Sequence, residues 1–89
     1  MRVTIPDHVV FRTFVEETMV LNLETGTYHG LNRTAGRMLE LLGELGELDS
    51  VTGRIVEETG EDPSRVATDL QAFCDSLAEK RLIEVVTGS

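Results

Sequence analysis

Apolar residues recur along this chain in two rhythms. In the first third they alternate or run in short blocks. "HVVFRTFV" (8–15) and "TMVLNLET" (18–25) are rich in Val, Thr, Leu and Phe, the composition that strands prefer. In the second block Met19, Leu21 and Leu23 alternate with Val20, Asn22 and Glu24, which gives one mainly apolar face. Glu16-Glu17 reads as a solvent-facing turn between the two blocks. Glu24-Thr25-Gly26 reads as the next turn, because glycine accepts a positive φ at no steric cost. "TYHGL" (27–31) then fits a short third strand, and "RVTI" ahead of Pro6 a preceding extended segment.

At Asn32 the rhythm becomes helical. Asn32 suits a helix N-cap, since its side chain can accept from an orphan N–H of the first turn. Ala35, Met38, Leu39, Leu42 and Leu45 follow at helical spacing, with Gly43 and Gly46 marking the end. Asp49 or Ser50 caps a shorter second helix that carries Val51, Ile55 and Val56 and closes at Gly60. Asp62-Pro63 is the firmest start signal, an acidic cap with proline at the first helical position. The third helix is expected from Pro63 to about Arg81. Its apolar stripe is Val66, Leu70, Phe73, Cys74 and Leu77, and Lys80-Arg81 suit the negative end of the helix dipole. "LIEVV" (82–86) is extended and returns to the sheet. The pattern predicts an α+β fold, a three-stranded antiparallel sheet followed by three helices, winged-helix-like in its helix trio.

Length and charge narrow the function. Eighty-nine residues allow one domain, 1–89, with a thin core. Sixteen acids against eight bases give a net charge of −8, and between Glu40 and Asp62 the only base is Arg54. Nucleic-acid binding needs a concentrated positive face. A third helix that interrupts Arg65, Gln71, Lys80 and Arg81 with Asp69, Asp75 and Glu79 presents the wrong sign to phosphate. A winged-helix DNA-binding regulator is therefore the alternative reading rather than the leading one. There is no signal-peptide pattern and no apolar run near the length of a membrane span, so a cytoplasmic setting with no membrane partner is expected.

Catalytic chemistry has little to stand on. The two histidines, His8 and His29, and the single Cys74 lie in separate elements, which leaves no nucleophile–base pair and no metal-ligand spacing. Cys74 on an apolar stripe reads as a small inert hydrophobe. Asp75-Ser76-Leu77 matches the tripeptide that carries phosphopantetheine in acyl carrier proteins. There it opens a helix near mid-chain, whereas here it lies deep in the last helix. No enzyme activity, cofactor or metal is expected.

The third strand is the remaining candidate. Edge strands expose unpaired N–H and C=O groups and are usually blunted with lysine or proline. "TYHGL" has neither, and Gly30 lets another backbone come close. Two outcomes stand open: an extended peptide adds to this edge, or "LIEVV" covers it.

"MVLNLETGTYHGLNRTAGRMLELL" followed by "VATDLQAFCDSLAEKRLIEV" resembles the pyrroloquinoline quinone biosynthesis protein D family, above all its stand-alone relatives in lasso-peptide gene clusters. The shared pattern is an apolar strand, Thr-Gly-x-Tyr, Leu-Asn, a small-residue helix start and a final Asp-Leu-x-x-Phe-x-x-x-Leu helix, over roughly 9–86. Asn22 departs from it, close to where many relatives place aspartate. The resemblance implies a domain that binds the leader segment of a ribosomally made, post-translationally modified peptide. The leader would add antiparallel to the third strand, along Tyr28, His29, Gly30 and Leu31. The groove floor would be Val66, Asp69, Leu70, Phe73, Cys74 and Leu77, with Leu70 and Leu77 mostly core and Phe73 shared. It further implies a transglutaminase-like leader peptidase and an asparagine-synthetase-like cyclase as partners, and leaders that often carry Tyr-x-x-Pro.

Overall fold

Three antiparallel strands and three helices form the body of the fold in a computed structural model that describes residues 1–86. In chain order the elements are β1 (Arg2–Thr4), β2 (Val9–Thr13), β3 (Glu17–Asn22), β4 (Thr27–Asn32), α1 (Arg33–Leu45), α2 (Leu48–Thr59), α3 (Pro63–Glu79) and β5 (Glu84–Val86). The main sheet has the order β2-β3-β4. Its register runs from Val9 opposite Asn22 to Thr13 opposite Thr18, and from Glu17 opposite Asn32 to Asn22 opposite Thr27. This is the α+β layout expected from the sequence.

The C-terminal segment does not return to that sheet. β5 pairs with β1, Arg2 opposite Val86, as a separate two-stranded ribbon. The reason lies at the α1–α2 junction. Val3 N–H donates to Gly46 O at 2.8 Å and Leu48 N–H to Met1 O at 3.0 Å, which fixes β1 there, while buried Leu82 and Ile83 carry the chain towards it.

The helices start and stop for identifiable reasons. Asn32 Oδ1 accepts from Ala35 N–H at 2.8 Å, and Gly46, at φ 71°, ends α1 by donating to Leu42 O. Gly43 stays inside α1. α2 begins at Leu48, before the expected caps Asp49 and Ser50. Leu48 is buried in the core and its N–H is already taken by Met1 O, so a tertiary contact replaces the side-chain cap. Asp62 caps α3 through Ser64 N–H at 3.2 Å. α3 ends at Glu79, short of Arg81, which adopts φ 61°, the left-handed role that glycine fills after α1 and α2.

The face of β3 that packs on α1 is its less apolar one. Thr18, Val20 and Asn22 are buried, while Met19 and Leu21 are half-buried and Leu23 is exposed. The two inward polar residues are satisfied locally. Thr18 Oγ1 donates to Thr13 Oγ1 at 3.3 Å, and Asn22 Oδ1 accepts from Glu24 N–H at 2.9 Å and from Thr25 N–H at 3.4 Å. A carboxylate would accept the same two bonds, so Asn22 can fill an aspartate's place in this turn. The apolar alternate set of β3 therefore faces outward.

Candidate functional site

Alternation along β4 divides its residues between two surfaces. His29 and Leu31, opposite Val20 and Thr18, turn towards the helical side; both are half-buried, and Leu31 packs on the core. Tyr28 and Gly30, opposite Leu21 and Met19, turn outward, with Tyr28 65% exposed. β4 pairs with β3 on one side only, and among the described residues no strand covers its other edge. β5 is not available to cover it, because it is held by β1. An uncovered edge of six residues, free of lysine and proline, is a main-chain template for an added strand. β2 is the other edge of the same sheet.

The α3 residues divide by depth. Val66, Leu70, Cys74 and Leu77 are at most 2% exposed and belong to the core, so they support the helix from beneath. Phe73 is half-buried against that core, and Asp69 is exposed. Of the six floor residues, Phe73 and Asp69 are the two that reach the surface. The end of α3 lies beside the β3–β4 turn. His8 Nε2 is 3.1 Å from Arg81 O and 3.7 Å from Glu24 Oε1, and a shallow cavity of about 340 Å³ there is lined by His8, Glu24, Ala78, Arg81 and Ile83.

Burial, then the neighbouring Asp75 charge, pushes the Cys74 thiol up to about 11, which keeps it protonated and unreactive at neutral pH. Among the described residues no group of three or more His, Cys, Asp and Glu is placed to hold a metal ion, and no helix is long and apolar enough to cross a membrane.

The sequence pattern left one surface unassigned. On the outward face of the sheet, Val10, Leu21 and Tyr28 form one cross-strand row, and Arg12, Met19 and Gly30 the next. Val10, Arg12, Met19, Leu21 and Tyr28, together with residues Phe11 and Phe14, line a depression of about 420 Å³. The alternation of Met19, Leu21 and Leu23 was its signal. Their outward orientation follows only from Thr18 and Asn22 being satisfied on the inner side.

This arrangement matches known proteins over nearly its whole length. The family described as coenzyme PQQ synthesis protein D (PqqD) matches residues 17–83. A solved structure of TbiB1 in complex with the TbiA(beta) leader peptide is 34% identical, with a TM-score of 0.86 over 96% of this chain and 99% of that one. A lasso peptide synthetase B1 complexed with its leader peptide is 18% identical, with a TM-score of 0.83 over 96% of this chain and 100% of that one, a likeness of fold. No curated protein matches the chain. By the family match across most of its length, this chain belongs to the PqqD family.

Proposed function

We propose that this chain binds the leader segment of a ribosomally synthesised precursor peptide as a fourth strand on β4, and presents it to separate enzymes of lasso-peptide biosynthesis. The observation that carries the reading is the uncovered β4 edge with Tyr28, His29, Gly30 and Leu31 along it. It is supported by the 34% identity to a chain whose structure holds a leader peptide. Affinity comes from the main-chain ladder. Specificity comes from side chains seated against α3, with Phe73 and Asp69 at the surface and Val66, Leu70, Cys74 and Leu77 fixing the helix below.

In this reading the chain is a single cytoplasmic domain and catalyses nothing itself. It raises the effective concentration of precursor at a transglutaminase-like leader peptidase, and then at an asparagine-synthetase-like cyclase. Precursor incubated with this protein alone stays intact, and cleavage requires the peptidase.

The test is a titration of the fluorescein-labelled leader of the precursor encoded with this chain, beside a labelled DNA duplex, at several salt concentrations. An apolar-anchored added strand weakens only modestly as salt rises, whereas a phosphate-reading interface loses about three orders of magnitude or more. Saturable leader binding with a shallow salt slope is the expected result. Steeply salt-dependent duplex binding without leader binding would overturn the proposal.

A further inference from the structure

The two walls of the proposed groove are supported separately. β4 is held by β3, whereas α3 packs mainly on α2. Apolar contacts close the core between α3 and the sheet, but such contacts are non-directional and do not by themselves fix a spacing. One residue crosses the gap with directed bonds. The His8 carbonyl accepts from Leu23 N–H at 2.6 Å, which fixes residue 8 to the end of β3. Its ring Nε2 donates to Arg81 O at 3.1 Å, just past the end of α3. Among the described residues no other hydrogen bond joins 63–81 to 8–32.

Resting on the leader-binding reading, we infer that His8 is a positioning residue of the groove: it holds the exit of α3 at a set distance from the sheet and acts on the leader through that helix. Both groups facing Nε2 are acceptors, Arg81 O and, at 3.7 Å, Glu24 Oε1, so Nε2 carries a proton and can donate. The Arg81 carbonyl is free to receive it, because the closing bonds of α3 run elsewhere. Lys80 N–H goes to Ser76 O, Arg81 N–H to Ala78 O and Leu82 N–H to Leu77 O. Arg81 is also the one non-glycine residue at positive φ among the described residues, a conformation that persists where its surroundings over-determine it. The His8 bond is one such constraint, and its geometry sets both distance and angle at this end of the helix. A leader strand seated between β4 and α3 then meets a width already set, which spares the cost of ordering the walls on binding.

Glutamine and asparagine separate this role from general stability. The amide nitrogen of glutamine reaches the place of Nε2, and that of asparagine is one carbon short. Both are neutral, so any pairing with Glu24 is removed alike. His8→Gln, His8→Asn and Arg37→Gln, a stability control on the α1–α2 side, are titrated with the fluorescein-labelled leader below their melting midpoints. Amide exchange of 77–82 is followed without leader. If His8→Asn holds the set spacing only about one time in five to ten, its leader affinity falls roughly five- to tenfold. His8→Gln and Arg37→Gln should stay within about twofold of wild type. Exchange of 77–82 should quicken in His8→Asn and not in His8→Gln. Wild-type affinity or unchanged exchange in His8→Asn, or an equal loss of affinity in His8→Gln or Arg37→Gln, would overturn the positioning role while leader binding stands. If the wild-type protein does not bind the leader, the leader-binding reading falls and this inference with it.

Discussion

Gly36, in the first turn of α1, rests directly on Thr18 of β3: a Cβ at Gly36 would lie 2.9 Å from Thr18 Cβ and closer still to its hydroxyl. The contact sets how near α1 approaches the sheet, and Thr18 is the wedge that defines it. Gly36→Ala should destabilise by about 1–3 kcal/mol through overpacking, read from urea melts followed by circular dichroism. Adding Thr18→Ala should recover part of the loss, since the two positions share one contact and cannot be additive.

Arg81 closes α3 in the left-handed region at φ 61°. For a residue with a Cβ that conformation costs about 1–2 kcal/mol. Glycine gives back roughly 0.5–1 kcal/mol through its looser unfolded chain. Arg81→Gly should therefore stabilise by about 0.5 kcal/mol, a rise of a few degrees in Tm by calorimetry. The carbonyl contact of residue 81 with His8 is kept.

Arg37 ties α1 to α2: its Nε donates to Glu58 Oε1 at 3.0 Å and its Nη1 lies 3.5 Å from Glu40 Oε1. The Arg37 hydrogen bond holds the Glu58 carboxyl below its ordinary value of 4.5. A lowered carboxyl stabilises the fold above its unfolded value, and that contribution is lost as pH falls through its folded value. The partners are 41% and 34% exposed, so Arg37→Gln should cost only about 0.2–1 kcal/mol at neutral pH. Denaturant melts across acid pH should show the gap between wild type and variant closing below 4.5.

How much of this was legible in the sequence depended on where the physics was local. Asn32, Gly46, Gly60 and Asp62-Pro63 act within one turn of themselves, and the pattern places them correctly. The start of α2 was not legible, because Met1, 47 residues away from Leu48, supplies the carbonyl that its N–H needs. Nor was the partner of β5, which depends on β1 being fixed at the α1–α2 junction. The outward orientation of Met19 and Leu21 was hidden for a similar reason. Period-two alternation shows that two faces differ, whereas the choice of inner face was made by Thr18 against Gly36 and by Asn22 in its turn. In the candidate site, the edge strand and the core positions of Leu70 and Leu77 were visible from their residues and spacing, while the depth of Val66 and Cys74, expected on the groove floor, depended on how α3 rolls against the core.

Phe73 and Leu70 should separate binding from stability. Leu70 is fully buried, so Leu70→Ala should cost about 2–5 kcal/mol of folding free energy. Half-buried Phe73 should cost less when truncated to alanine, about 1–3 kcal/mol, yet weaken leader binding at least tenfold as a groove anchor. Melts and leader titrations of the two variants check this. A folded Phe73→Ala protein with undiminished affinity would move the groove away from α3.

Leader binding by strand addition is decided by which backbone the leader pairs with. Amide hydrogen exchange, resolved by residue with and without saturating leader, reads this without any substitution. Strand addition to β4 predicts that amides of 27–32 pointing away from β3 lose their fast exchange on binding, while those of the β2 edge, 9–13, stay as they were. Leader binding that leaves β4 exchange untouched, or that protects β2 in its place, would contradict it.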